Sequence, residues 1–332
     1  MKTLKLPDLV GRAPFRPVPL LQRMCWHAHS LKDWRNCKRL WYWRHVWQLQ
    51  PKKPITPLFI GTAFHTGMAR WYGSKLPMKK IVYPLIKEFE DQAIKYRELY
   101  TEEDFDDLQI EIRALGGMLR GYAKMFAEDR RTWPLSMRRV EVPFFVKGSQ
   151  CDAGGTIDLV IDDPNSPLIF EHKTAGRIDS DYVDRIGMDT QVRMYILGAR
   201  KGLEVPAKRV MYNVARKCQL RMKKGETLPH FLDRITDDYC ARPDWYFWRE
   251  PLIISTSDIN AFQILIHEVD SEYHHILTDH KGDMFNPHFW PPNDFMCNAR
   301  GLCPYRALCT TGLDRGTGRW FRQQKPGRIR NE

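Results

Sequence analysis

Between residues 136 and 175 the hydrophobic pattern of this chain changes period. From Lys79 to Asp129 it is helical and charged, with Leu108, Ile112, Leu115 and Leu119 on one apolar face. Then "RRVEVPFFV" alternates as a strand, "GGTIDLVID" reads as a second and "PLIFEHKT" as a third, the last two joined by the turn "DPNSP". Successive strands of this kind must bury a shared face, so a sheet lies at the centre of the fold. Beyond it helix and strand alternate. "TQVRMYILGARK" is predicted helical, "KRVMYNVAR" a strand, "TLPHFLDRITDDYCA" a helix and "WYFWREPLII" a strand. "STSDINAFQILIHEVDSEYHHI" closes the series as a helix capped by Ser257 or Thr256. The simplest account is one α/β core with helical and Cys-rich additions.

Upstream, residues 1 to 24 are rich in Pro and basic residues and read as an arm. A helix is expected from Ser30, as its N-cap, to Gln48. "PKKPITP" breaks it, and "GTAFHTGMARWYG" forms a second helix. The chain from Asn286 is a Pro- and Cys-rich loop with a basic end. The N-terminal stretch has no apolar core of the signal-peptide kind, and no run approaches the roughly 18 apolar residues of a membrane span. The expectation is a cytoplasmic protein with no membrane partner. Its eight cysteines then read as metal ligands or small buried residues rather than disulfides. A net charge of +12 suits either a polyanionic partner such as nucleic acid or a plain basic surface.

The third strand carries the chemistry. Residues i and i+2 of a strand share a face, so Glu171 and Lys173 point one way and His172 the other. A hairpin through "DDPNSP" lets Asp158 approach Glu171. Two converging carboxylates suit a hard divalent cation such as Mg²⁺, and a lysine beside them stabilises developing negative charge. Those are the parts needed to hydrolyse a phosphodiester. Alone, the triplet reads more readily as a salt bridge at a strand end than as a metal site. His65, in "GTAFHTG", could add a nitrogen donor. Gln191 and Tyr195, at i and i+4 on one helix face, place two polar groups where the Lys173 strand ends.

A second constellation lies near the C-terminus. "MCNARGLCPYRALC" holds Cys297, Cys303 and Cys309 at five-residue gaps. Cys37 is the best fourth ligand and Cys25 the alternative. Thiolates select zinc or iron–sulfur clusters. Zinc sites favour close cysteine pairs, so the wide gaps point to a [4Fe–4S] cluster, with Zn²⁺ the weaker fit. Such a group would tie the two ends of the chain together. The aromatics of "CKRLWYWRHVW" read mainly as core beside it, although basic residues interleaved with aromatics also suit single-stranded nucleic acid.

In order, His65, Asp158, Glu171-His172-Lys173 and Gln191-x-x-x-Tyr195 resemble the motifs of the RecB-like PD-(D/E)XK nucleases. One N-terminal and three C-terminal cysteines resemble the iron–sulfur, Cas4-like branch of that group. "YNVARKCQLRMKKGET" and "FLDRITDDYCARPDWYFWRE" look similar to its phage and prophage members. The family's Pro is missing, since Ile157 precedes Asp158, and the first C-terminal cysteine gap is longer than the C-x₂-C often seen in that branch.

The resemblance implies a restriction-endonuclease-like core, a mixed central sheet flanked by helices, with a cysteine-rich element joining the N- and C-terminal parts. It implies an arm over 1–29 and one nuclease domain over 30–312. Within that domain, 30–135 would be helical, 136–255 the catalytic core and 256–312 the last helix and cysteine cluster, with a basic tail over 313–332. Asp158 and Glu171 would bind Mg²⁺ or Mn²⁺ with His65 and the backbone carbonyl of His172. Lys173 would be the catalytic lysine, and Gln191 and Tyr195 would orient it or contact DNA. Cys37, Cys297, Cys303 and Cys309 would hold the cluster. The implied activity is an exonuclease on DNA ends or single strands, in recombination, repair or replication in a bacterial or phage-infected cell. A helicase or recombination partner, or an oligomer, is compatible with this. The competing reading is a catalytically silent DNA-binding or assembly subunit that keeps the fold.

Overall fold

The computed structural model describes residues 24–279, 285–299, 302–313 and 317–323. The chain forms two compact units. One comprises Lys53–Phe144 and Thr156–Ser255, and the other Met1–Lys52, Phe145–Gly155 and Thr256–Glu332.

The first unit begins with three helices: α1 (Thr56–Tyr72), α2 (Met78–Ile94) and α3 (Glu102–Met125). Pro57 sits in the first turn of α1, where its missing N–H costs nothing. Thr101 caps α3 by accepting from the Asp104 amide at 3.1 Å, and Glu102, Glu103 and Asp104 complement the helix dipole. The expected helical stretch over 79–129 is therefore two long helices separated at residues 95–101, with a short turn of helix at Asp129–Thr132.

The strands follow as β1 (Arg138–Val146), β2 (Asp152–Ile161) and β3 (Leu168–Ala175). After helix α4 (Thr190–Leu197) come β4 (Arg209–Arg216), helix α5 (Leu228–Ala241) and β5 (Phe247–Ile253). The strand order is β2-β3-β4-β5, with β1 also pairing β2. Pairs β2–β3 and β4–β5 are antiparallel and β3–β4 is parallel, which makes the sheet mixed. Pro143 in β1 is tolerated because β1 has one strand neighbour among the described residues. The run Leu168–His172 is buried throughout, as a strand covered on both faces must be.

One sheet face, with Leu159, Ile161, Leu168 and Phe170, packs into a core shared with α1, α2, α3 and α5. Helices α3 and α5 approach through Gly116, Gly117 and Gly121. A Cβ on Gly117 would lie 2.5 Å from the Ile235 Cβ, and one on Gly121 would lie 2.6 Å from the Tyr239 Cβ. Gly117→Ala is expected to destabilise the protein by about 1–3 kcal/mol through overpacking. Urea denaturation checks this, and an unchanged midpoint would mean the helices separate freely.

In the second unit Cys25–Trp26 pairs in parallel with Asp152–Ala153, and Leu49–Pro51 pairs antiparallel with Phe321–Gln323. The expected helix from Ser30 to Gln48 is three pieces: Ala28–Asn36, Lys38–Trp41 and a wide-turn segment, Tyr42–Val46. His27, not Ser30, is the N-cap. Ser30 lies in the first turn, and its hydroxyl accepts from the His27 amide at 2.9 Å. The described residues from Met24 to His29, including the Cys25–Trp26 strand, thus lie inside the stretch expected to be an arm. The long helix Thr256–Asp279 starts at Thr256, so both Thr256 and Ser257 fall within its first turn instead of capping it. Trp26, Trp34, Trp41, Tyr273 and Trp290 pack as an aromatic core, with ring centroids 5.0 Å apart for Trp34 and Trp41. Trp26 and Trp34 donate their indole N–H groups to Asp270 at 2.9 Å and Glu272 at 2.7 Å. Most of the arm and much of the basic tail lie outside the described residues. Among the described residues, no helix is long and apolar enough to cross a membrane.

Candidate active site

The hairpin register places the site. Leu159 pairs with Phe170, so the next positions along that register are Asp158 and Glu171. Asp158 is the seventh of the ten residues of β2, Asp152–Ile161. Its Oδ2 accepts the backbone N–H of His172 at 2.8 Å and lies 3.2 Å from His65 Nδ1 on α1. Its Oδ1 accepts the Tyr195 hydroxyl at 3.1 Å. Tyr195 in turn accepts from Gln191 Nε2 at 2.8 Å, and Gln191 Oε1 accepts from Lys173 Nζ at 2.7 Å. One hydrogen-bonded path therefore runs from Lys173 through Gln191 and Tyr195 to Asp158. The i, i+4 spacing of α4 makes it possible for one helix face to serve both ends.

Glu171 is fully buried; Lys173 Nζ pairs with its Oε1, and Oε2 has no partner. A buried carboxylate with one oxygen left over is costly unless a further donor or cation completes it. That observation fits a divalent ion of the oxygen-seeking kind. The pKa values agree. Burial pushes Glu171 up to about 8 against the pull of Lys173. Burial also acts to raise Asp158, but His65 outweighs it and holds the carboxyl well below its usual range. Burial opposes charge on His65, and Asp158 more than compensates. For Lys173, burial is likewise overcome by Glu171, Asp189 and Asp158, so the ammonium persists.

His172 turns its ring into the core. Asn213 Nδ2 donates to its Nδ1 at 2.8 Å and also reaches the Tyr122 hydroxyl at 3.1 Å. Tyr122 bonds Tyr72 at 2.9 Å, Tyr72 donates to Asp129, and Arg249 pairs with Asp129 at 2.9 Å. Burial lowers the His172 pKa to about 3, so the ring is neutral. Of the expected site residues, His65, Asp158, Glu171, Lys173, Gln191 and Tyr195 come together, and only the His172 backbone faces them.

Two neighbours escaped the sequence reading. Asp189 caps α4, accepting the Gln191 amide at 2.9 Å and the Tyr212 hydroxyl at 3.0 Å. An Asp just before a helical pattern is a readable cap signal. Glu141 of β1 brings a carboxylate oxygen to a trio with His65 and Asp158, the ligand atoms all within 4.8 Å of one another. Nothing in the alternation of "RRVEVPFFV" marks it.

In the other unit, Cys37 is buried and its sulfur accepts backbone N–H groups from Leu40 at 3.4 Å and Asn293 at 3.3 Å. The Cys303 amide donates to the Cys297 carbonyl at 2.9 Å. Burial raises the Cys303 and Cys309 thiols. Cys37 adds to both, Cys297 to the first and Cys303 to the second, so the four sulfurs feel one another. Cys25 responds instead to burial and Asp152, which lift it to about 11. Trp41, Trp43 and Trp47 are buried, and a side-chain hydrogen bond from Trp43 partly offsets the rise in the Cys309 thiol.

A mixed sheet that presents paired carboxylates and a lysine from adjacent strands, with a histidine from a flanking helix, has the donor set a metal-dependent nuclease requires. The family comparison agrees with the geometry: residues 26–310 match the PD-(D/E)XK nuclease superfamily, and the chain belongs to it. No curated protein matches the chain. Among solved structures it is similar to the crystal structure of SSO0001, at 13% identity and a TM-score of 0.27, covering 54% of this chain and 68% of that one. It is also similar to protein VC1899 from Vibrio cholerae, at 13% identity and a TM-score of 0.20, covering 66% of this chain and 56% of that one.

Proposed function

We propose that this protein is an Mg²⁺- or Mn²⁺-dependent exonuclease that degrades DNA from ends, with a [4Fe–4S] cluster on Cys37, Cys297, Cys303 and Cys309. The observation that carries the nuclease reading is the buried Glu171 carboxylate beside Asp158, with Lys173 on the same face paired to its Oε1 and Oε2 left without a partner. Asp158, Glu171, His65 and the His172 carbonyl hold the cation. That cation supplies charge neutralisation at the phosphodiester and a more acidic water. Gln191 holds Lys173 Nζ where it meets the phosphate oxygens, and Tyr195 fixes Asp158 through its hydroxyl. The place in recombination, repair or replication follows from the same reading.

For the second group, the five-residue gaps between Cys297, Cys303 and Cys309 support iron–sulfur over zinc, because structural zinc sites favour close cysteine pairs.

Digestion of end-labelled linear DNA, single- and double-stranded, beside a closed circle tests the activity. Linear DNA is expected to be consumed and the circle spared; cutting of the circle would overturn exonuclease action. Tight DNA binding without cleavage would favour the silent subunit. A pH series adds a sign. The Glu171 proton must leave before a cation binds, so Mn²⁺ affinity is expected to climb by up to about tenfold per pH unit as pH rises toward 8. A flat profile over that range would contradict Glu171 as a ligand.

A further inference from the structure

We propose that Glu141 is a cation ligand of the active site, the third donor of a position it forms with His65 and Asp158. The proposal rests on the metal-dependent reading above and extends it to a residue outside the motif set.

One imidazole nitrogen and two carboxylate oxygens within 4.8 Å of one another are a donor set that Mn²⁺ or Mg²⁺ accepts. The three come from different elements: His65 from α1, Glu141 from β1 and Asp158 from β2. Two further observations point to a ligand there. The first is Glu171, fully buried across the hairpin from Asp158, with the Lys173 ammonium on its Oε1 and no partner on Oε2. The second is the backbone of Glu141 itself. Its φ is 48°, in the left-handed region that costs a non-glycine residue roughly 1–2 kcal/mol. Among the described residues, Gln48, Glu141 and Glu204 are the non-glycines with positive φ, and of these only Glu141 lies within a strand. Glutamate is a poor choice for that conformation; asparagine or glycine would serve it better. A carboxylate that the site uses accounts for the choice. Glu141 is also exposed, so its side of the trio opens to solvent, from which a hydrated cation arrives.

Glu141→Asn separates the two roles, because asparagine accepts positive φ but brings no charge. The full-length protein is titrated with Mn²⁺ and free Mn²⁺ is followed by EPR, with thermal unfolding of the metal-free protein measured in parallel. Glu141→Asn is expected to weaken Mn²⁺ binding by about tenfold or more while the unfolding temperature holds or rises. Unchanged Mn²⁺ affinity, with or without a gain in stability, would reduce Glu141 to a strained strand residue and overturn the proposal. Glu171→Gln is the control for the reading beneath it. If that variant binds Mn²⁺ as wild type does, or wild type binds none, the metal-site reading itself fails and takes this proposal with it.

Discussion

Glu171→Ala and Lys173→Ala are each expected to abolish measurable Mg²⁺-dependent DNA cleavage while DNA binding persists. The two fail for different reasons. Removing Glu171 deletes a cation donor, so Mn²⁺ affinity and cleavage fall together. Removing Lys173 takes away the ammonium that faces the same phosphate, a loss on the order of 10²–10³ in rate. It also leaves the buried Glu171 without the charge that opposes its protonation. Lys173→Ala should therefore demand a higher pH for cation binding than wild type, a shift that a purely catalytic lysine would not cause. Lys173→Arg keeps the charge but not the ammonium's fit to Gln191, and should restore cation binding more than cleavage. Single-turnover cleavage of a labelled duplex, with binding followed by fluorescence anisotropy, separates these outcomes. Undiminished cleavage in either alanine variant would end the nuclease reading of this site.

The second large effect is expected at Cys303. A preparation purified without oxygen should be brown and carry iron and sulfide, and Cys303→Ala should lose both. The loss should reach the surrounding unit. Cys37 sits at the junction of two short helices and holds amides from Leu40 and Asn293 on its sulfur. Ligand binding that fixes such a junction is also folding free energy. The near-ultraviolet circular dichroism of the Trp26, Trp34 and Trp41 group should therefore collapse in Cys303→Ala. In Glu171→Gln, whose lesion lies in the other unit, colour and dichroism should stay intact. A colourless wild-type protein with stoichiometric zinc would overturn the cluster assignment.

The sheet was legible because its signals are local. "RRVEVPFFV" alternates at period two and forms β1 over the same residues, Arg138–Val146. The apolar run before Glu171 is continuous because β3 is covered on both faces. The i, i+4 pair Gln191 and Tyr195 was readable as a shared helix face, and the structure brings it to Lys173 and Asp158. What stayed hidden depends on distant partners. The N-terminal helix breaks at Cys37, where φ is −165°, and no residue near it is a helix breaker. Glu141 owes its place to an unusual backbone angle that no composition rule encodes. Ser30 looked like a cap because it is a serine before an apolar stretch, but the first turn starts earlier and the hydroxyl serves it from inside.

The buried polar chain from His172 to Arg249 has a consequence for how reliably this strand folds. A strand with apolar residues on both faces carries little information about its own alignment, and sliding by one position would still bury hydrocarbon. Here such a slide would bring the Lys173 ammonium to Asn213 and Tyr122, which are arranged for a neutral ring, and would turn His172 toward the carboxylates. Each misaligned pairing strands a polar group away from water. The core-facing side of the strand thus acts as a proofreading surface for the opposite side, so that Glu171 and Lys173 reach Asp158 in only one alignment of the sheet.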